Sequence, residues 1–394
     1  MAEPLFSPFS KPIYVMVKPA GPACNLACEY CYYLEKSALV KEDGSGSLMS
    51  NELLERFVRD YITSQVDRRV LFTWHGGEPL LRPLSFYRRA VELQKKYADA
   101  RQVDNCIQTN GTLLTDEWCE FLRENNFLVG ISVDGGALFH DTFRRDKQGR
   151  PTFERVMRSI EMLRRHGVEY NAMAVVNRLN ADYPEDFYRF FKQMDCRYIQ
   201  FAPIVEPMRD PATGRMTVIP SSVSPQQWGE FLCRLFDEWV KEDVGKFFIR
   251  HFDDVLANWV GVTPGLCILA KTCGQAGVME HNGDVYSCDH FVFPEYKLGN
   301  IRNKTLTEMM WSPKQFRFGQ SKQTSLPRQC KRCRYLRICN GECPKNRLSL
   351  SVDGEPGLNY LCEGYYRFFE HTAPFMERMA REILAENGNG KGGK

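Results

Sequence analysis

The chain of 394 residues lacks any run of about 18 apolar residues, so nothing in it is built to cross a membrane as a helix. It lacks the basic and then apolar start of a signal peptide. MAEPLFSPFSKP puts Pro and an acid there, and the expected location is the cytoplasm. A surplus of charge is missing too: 52 Lys and Arg against 49 Asp and Glu leave +3, which argues against a dedicated nucleic-acid or anionic-membrane partner. What is plentiful is cysteine. An odd count of 15 in a reducing compartment excludes a disulfide scaffold and points to metal. Hydrophobic residues, at 43%, suffice for one large core and a second, smaller domain.

From Lys11 to about Val240 short β-rich runs alternate with amphipathic ones. The expected strands are 13–19, 70–76, 104–111, 127–135, 168–176 and 197–205. The expected helices are 51–65, 84–98, 116–125, 153–166, 184–194 and 225–241. Six β-α units in series mean a parallel sheet with helices outside it, an α/β fold of the partial (β/α)6, TIM-like kind. Chemistry is then expected at the C-terminal strand ends, where His75-Gly76-Gly77-Glu78, Thr109-Asn110-Gly111 and Ser132-Val133-Asp134-Gly135 fall. After about Phe247 the chain turns to short elements and cysteines, too poor in periodic apolar runs to form a large core without bound metal. A last amphipathic helix spans 365–386, and GNGKGGK ends the chain as a flexible tail.

Eleven cysteines fall in two groups; Cys106, Cys119, Cys196 and Cys233 stand alone as small core hydrophobes. In GPACNLACEYCYY, Cys24, Cys28 and Cys31 are spaced C-x3-C-x2-C, one thiolate short of a closed metal site. Zinc would want a fourth Cys or His, and none follows until His75. A [4Fe-4S] cluster on three thiolates leaves one iron open to a small molecule. Downstream lie Cys267, Cys273, Cys288, Cys330, Cys333, Cys339, Cys343 and Cys362. Eight thiolates suit two closed [4Fe-4S] clusters, or two structural zincs. Arg328, Lys331, Arg332, Arg334 and Arg337 beside them would offset cluster charge or form a solvated face.

The first spacing, with Tyr30 before its last Cys, resembles the signature of the radical S-adenosylmethionine (radical SAM) superfamily. The resemblance implies S-adenosylmethionine contacts at Tyr30, Gly76, Gly77, Glu78, Ser132, Arg144 and Val205. The intact C-x9-G-x4-C around Gly283 and the seven cysteines from Cys273 onward resemble the SPASM domain, a holder of auxiliary iron-sulfur clusters. The family's interleaved pattern would give Cys267, Cys273, Cys288 and Cys343 to one cluster and Cys330, Cys333, Cys339 and Cys362 to the other. The implied domains are an extension over 1–12, the partial barrel over 13–242, a linker helix region over 243–264, the small cysteine-rich SPASM domain over 265–363, a C-terminal helix over 364–387 and a tail over 388–394.

WHGGEP, QTNGTL, FLVGISVDG, QFAPIVEP and CDHF at 288–291, spread from about Lys11 to Phe375, narrow the resemblance to the bacterial anaerobic sulfatase-maturating enzymes. These oxidise one Cys or Ser of a sulfatase to Cα-formylglycine. The resemblance makes Asp289 the catalytic base and implies three [4Fe-4S] clusters, one binding S-adenosylmethionine and two auxiliary ones that carry off the second electron. It also implies a sulfatase polypeptide or peptide substrate, a flavodoxin- or ferredoxin-like electron donor, and a monomer without nucleic-acid or membrane partners. His75, His281 and His290 lie near the motifs, where they could tune the choice of Cys or Ser or be ordinary polar residues. Two other readings stay open: a SPASM enzyme that crosslinks peptides through thioethers, and a non-catalytic iron-sulfur or zinc scaffold. The dozen residues before the first strand argue against the peptide-binding domain that many crosslinking enzymes carry there.

Overall fold

Short apolar runs that stop at glycine define the strands. In the computed structural model, which describes residues 12–34, 36, 39, 48–211, 214 and 216–389, the strands in chain order begin with β1 (Tyr14–Val17), β2 (Arg69–Trp74), β3 (Gln102–Thr109) and β4 (Phe127–Ser132). There follow β5 (Tyr170–Val176), β6 (Tyr198–Pro203), β7 (Pro207–Arg209), β8 (Met216–Val218), β9 (Phe248–Ile249), β10 (Ala276–Met279), β11 (Asp284–Tyr286) and β12 (Lys297–Asn300). Residues 1–11 of the expected extension over 1–12 and residues 390–394 of the expected tail over 388–394 lie outside the described residues. All six expected strands form, but several end early, because Gly76, Gly111 and Gly135 adopt positive φ (127°, 77° and 97°) and turn the chain out of the sheet. The six helices also form, within two residues of their expected ends. Ser50 and Thr115 cap two of them, and Ser224 with Gln227 closes a capping box on the helix Pro225–Glu242.

The chain divides into two compact units. The first comprises Met1–Ser132, Asp141–Tyr170 and Gly274–Gly319. In it β1, β2, β3 and β4 pair in parallel in that order, with Trp74 opposite Ile107 and Ile107 opposite Val129. The helices Asn51–Thr63, Leu84–Tyr97 and Asp116–Glu124 bury Phe57, Tyr61, Tyr87 and Trp118 in an aromatic core with Phe72 and Trp74. One pairing was not legible beforehand. β10 adds in parallel to β1, Tyr14 opposite Ala276, and β11 and β12 continue antiparallel. Four residues of AGVM are too short to announce a strand by periodicity.

The second unit comprises Val133–His140, Asn171–Cys273 and Gln320–Lys394. Here β5, β6 and β9 pair in parallel, and β7 and β8 form a hairpin. The helices Pro225–Glu242 and Cys362–Asn389 approach so closely that a Cβ on Gly364 would lie 2.2 Å from the carbonyl oxygen of Pro225. Trp228, Phe231, Phe252, Tyr365 and Phe368 fill the space beside them. Among the described residues, no helix is long and apolar enough to cross a membrane.

Candidate active site

β1 runs out into the loop that carries Cys24, Cys28 and Cys31, and the turn after β2 pins that loop. The N–H of Gly77 donates to the carbonyl of Gly21 at 2.9 Å, and that of Glu78 to the carbonyl of Ala23 at 2.8 Å. The approach requires glycine: a Cβ on Gly77 would stand 2.2 Å from the Ala23 oxygen. Glu78 is fully buried and accepts from the Asn110 N–H (2.8 Å), the Leu80 N–H (3.0 Å) and the Thr109 hydroxyl (2.7 Å). Burial nonetheless raises its carboxyl to about 7. Asn110 also donates to the Asn25 side chain at 2.9 Å, which ties the end of β3 to the same loop.

Burial pushes the Cys24 thiol up to about 12 against the pull of the Leu26 N–H; neighbouring Glu78, Cys28 and Cys31 push it further the same way. Three thiols that oppose one another's ionisation fit a shared, positively charged iron centre, which would offset the repulsion. The loop supplies three sulfur donors, so the donor set fits a [4Fe-4S] cluster with one open iron. Tyr30 is buried beside it, its ring 5.8 Å from that of Phe143 and 5.5 Å from the Arg144 guanidinium. The Ser132 hydroxyl accepts from Gln108 at 3.1 Å.

Asp289 follows Cys288 in a short turn after β11 and faces the end of β1. There Lys18, fully buried, pairs with Asp289 Oδ1 and lies 3.6 Å from Glu280 Oε1. Tyr32 donates its hydroxyl to Asp289 Oδ2, and Tyr33 donates to Glu280. The Lys18 ammonium stands 3.7 Å from the centre of the Tyr33 ring. Each carboxylate thus has its own tyrosine, and the two share one lysine. Burial alone would raise the Asp289 carboxyl, but the Lys18 ammonium overrides it and holds the group well below the usual carboxylate range. Burial wins at Glu280, whose carboxyl is raised despite Lys18 and Tyr33. Asp289 is therefore the member that stays ionised. Burial lowers the His75 imidazole and keeps it neutral; its Nδ1 accepts the Gly76 N–H at 2.8 Å, which leaves the ring proton on Nε2. An ionised carboxylate fixed through both oxygens beside the cysteine loop is equipped to take a proton from a hydroxyl or thiol.

The second unit gathers seven of the downstream cysteines. Cys339 lies within electrostatic reach of Cys330 and Cys362, and Cys362 within reach of Cys333; burial raises the Cys339 thiol to about 12 and that of Cys362 to about 11. Cys267, Cys273 and Cys343 surround the ammonium of Lys322, which is fully buried and donates to the carbonyls of Cys267 (2.8 Å), Ile268 (2.7 Å) and Ala270 (2.6 Å). Arg347 carries a second charge near Cys330, Cys273 and Cys343. Two members of the basic run have other partners: Arg328 pairs with Glu355 at 2.8 Å, and Arg337 lies 4.9 Å from the Trp259 ring.

The first unit thus holds Cys24, Cys28, Cys31, Tyr30, Gly76, Gly77, Glu78, Ser132, Arg144, Cys288 and Asp289. Val205 belongs to the second, fully buried, its carbonyl accepting from Lys345 at 2.7 Å. Sequence reasoning passed over Lys18, Tyr32, Glu280, Lys322 and Arg347. Lys18 left one signal, a charge closing the otherwise apolar strand YVMV.

The Radical SAM superfamily signature matches residues 19–191, and SPASM, an iron-sulfur cluster-binding domain, matches residues 273–334. A serine-type anaerobic sulfatase-maturating enzyme of Bacteroides thetaiotaomicron is 63% identical over 98% of this chain and 95% of its own length. A cysteine-type counterpart from Clostridium perfringens is 35% identical over 94% of this chain and 99% of its own. The solved structure of native anSMEcpe with bound AdoMet superposes with a TM-score of 0.84 at 33% identity, covering 94% of this chain and 100% of that one. It confirms the α/β fold with the parallel sheet of the radical SAM barrel, a SPASM domain and a C-terminal helix. The chain belongs to the anaerobic sulfatase-maturating enzymes, a radical SAM family with a SPASM domain.

Proposed function

We propose that the chain oxidises one serine of a sulfatase polypeptide to Cα-formylglycine, with Asp289 as the base. The observation that carries the chemistry is the grip of Lys18 and Tyr32 on the two oxygens of Asp289, which keeps that carboxylate ionised and aimed. Serine as the target rests on the serine-type relative at 63% identity; cysteine is the alternative, as in the relatives named cysteine-type. A peptide substrate has its parallel in anSMEcpe with bound AdoMet and the Cp18Cys peptide.

The proposed ligands of the S-adenosylmethionine-binding cluster are Cys24, Cys28 and Cys31. The contacts to S-adenosylmethionine are the set from Tyr30 to Val205 that the family resemblance implies. The same resemblance assigns Cys267, Cys273, Cys288 and Cys343 to one auxiliary [4Fe-4S] cluster and Cys330, Cys333, Cys339 and Cys362 to the other. When bound and reduced, the first cluster and S-adenosylmethionine would supply the one-electron chemistry that takes a hydrogen atom from Cβ of the target, and the second electron would leave through the auxiliary clusters. Asp289 accepts the hydroxyl or thiol proton, and Lys18 and Tyr32 hold its oxygens in place. The electron donor would be a flavodoxin- or ferredoxin-like protein, the location the cytoplasm and the working form a monomer.

The test is anaerobic reconstitution, followed by incubation with two sulfatase-derived peptides that differ only in Ser or Cys. About twelve irons per chain, cleavage of S-adenosylmethionine and loss of two hydrogens from the serine peptide are expected. In Asp289→Asn, 5′-deoxyadenosine should still form while formylglycine falls by about 10²- to 10⁴-fold. Two zincs per chain and no cleavage would overturn the reading; unchanged formylglycine in Asp289→Asn would remove that residue from the mechanism.

A further inference from the structure

The whole chain carries a formal net charge of +3, and residues 144–155 alone carry as much: Arg144, Arg145, Lys147, Arg150 and Arg155 against Asp146 and Glu154. This basic turn is hydrogen-bonded to the cysteine loop. The Ala27 N–H donates to the Arg145 carbonyl at 2.8 Å, and Leu26 bridges Asp146. Asp146 rigidifies the turn by accepting the N–H groups of Gln148 and Arg150, each at 3.0 Å, and by pairing with Arg150 (2.7 Å) and Arg155 (3.7 Å). Arg145, Lys147 and Arg150 are exposed. Between the turn and the loop lies an open cavity of about 420 Å³, lined by Cys24, Leu81, Leu113, Lys147, Arg150 and Arg155 among others.

We propose that this basic turn and cavity form the docking surface for an acidic one-electron carrier protein, which in its reduced form gives one electron to the cluster held by Cys24 and is itself oxidised by one electron. The inference rests on the proposed function for its cluster and names the partner of that site. Three observations select the occupant. Cys24 lines the cavity, so a donor seated there touches a cluster ligand rather than a remote surface. The cations suit an acidic partner and would steer its approach; Asp146 is already engaged by them, and the exposed Glu29 is the acid of the cysteine loop itself. Leu81, exposed, and Leu113 supply a small apolar centre within the charged rim, as suits an encounter that must release its partner after each transfer.

The probe is a purified acidic flavodoxin carrying flavin mononucleotide, titrated at low ionic strength into the reconstituted protein. Its dissociation constant should rise about 10- to 100-fold in the double variant Lys147→Glu, Arg150→Glu and less in Lys147→Glu alone, and the wild-type affinity should weaken as salt is added. Dithionite needs no docking site. Cleavage of S-adenosylmethionine driven by dithionite should therefore match the wild type in both variants, which also shows that they fold. Lys95→Glu, on the helix Leu84–Tyr97, changes the net charge alone and should leave the binding unaltered. The proposal fails if the wild type does not bind the flavodoxin, if the double variant binds it as tightly, or if Lys95→Glu weakens it equally. If dithionite drives no cleavage in the wild type, the cluster reading itself has failed, and the docking proposal falls with it.

Discussion

Among the described residues two lysines are fully buried, one in each unit, and their charges are answered differently. Lys18 meets carboxylates: Asp289 in direct contact and Glu280 at 3.6 Å. Lys322 donates to three backbone carbonyls and, among the described residues, pairs directly with no carboxylate; the thiols of Cys273, Cys267 and Cys343 and the Glu342 carboxyl lie around it. A buried cation is tolerated only where something compensates its lost hydration. At Lys18 the protein supplies that compensation, so the charge pattern is complete in the polypeptide and serves to orient Asp289. At Lys322 three carbonyl dipoles supply part of it, and the rest fits a negatively charged thiolate-bound cluster. On the proposed function, one lysine would prepare a reaction and the other a cofactor's seat.

Replacing each lysine by an apolar side chain of similar length is the sharpest way to break this contrast. The larger effect is expected from Lys322→Met, which leaves three buried carbonyls without their donor and costs about 3 kcal/mol or more. The iron content after reconstitution should fall by about a third, as one of the three proposed clusters fails to assemble, and the melting temperature should drop with it. Full iron retention would mean that Lys322 only satisfies carbonyls. Lys18→Met should leave the iron content unchanged. Its formylglycine yield per 5′-deoxyadenosine formed should fall by about 10²-fold, because Asp289 is no longer held ionised and in place. If Lys18→Met instead lost iron as Lys322→Met does, the two lysines would play the same part and the distinction would collapse.

The sequence displayed the cofactor chemistry more openly than the lysines that serve it. Cysteine spacing is a local signal, and C-x3-C-x2-C lies within a single loop, so Cys24, Cys28 and Cys31 could be read as one donor set before any fold was known. Strands such as Phe127–Ser132 were legible because their residues form a continuous apolar run, most of it buried. Their ends were overrun where Gly76 and Gly135 leave the sheet at positive φ, which composition alone does not mark. Lys18 was hidden for another reason: its meaning depends on Asp289, and Tyr32, which shares that partner, is 257 residues from it in the chain. Lys322 was hidden likewise, as its carbonyl acceptors lie 52 to 55 residues away. The basic run drew the eye because it adjoins the cysteines in sequence, yet Arg328 and Arg337 spend their charges on Glu355 and Trp259.

The smallest expected effect separates the two holds on Asp289. Tyr32→Phe removes only the hydroxyl that donates to Oδ2, while the ring keeps its contacts with His290 at 5.1 Å and with the Lys36 ammonium at 4.6 Å. Folding and iron content should be unaltered. Lys18 still grips Oδ1, so the carboxylate remains ionised but gains freedom to rotate. A hydrogen bond to a charged acceptor is worth about 1.5–3 kcal/mol, which caps the loss at roughly 100-fold. With Lys18 in place about tenfold is expected, in kcat and with KM unchanged, if Tyr32 acts as proposed by orienting Asp289. Tyr33→Phe is the matched control. It loses its bond to Glu280, not to Asp289, and should cost less than Tyr32→Phe. Equal losses in the two variants would show that the pair of carboxylates works as one unit, whereas a Tyr32→Phe loss as deep as that of Lys18→Met would make orientation, rather than charge, the main service the network performs.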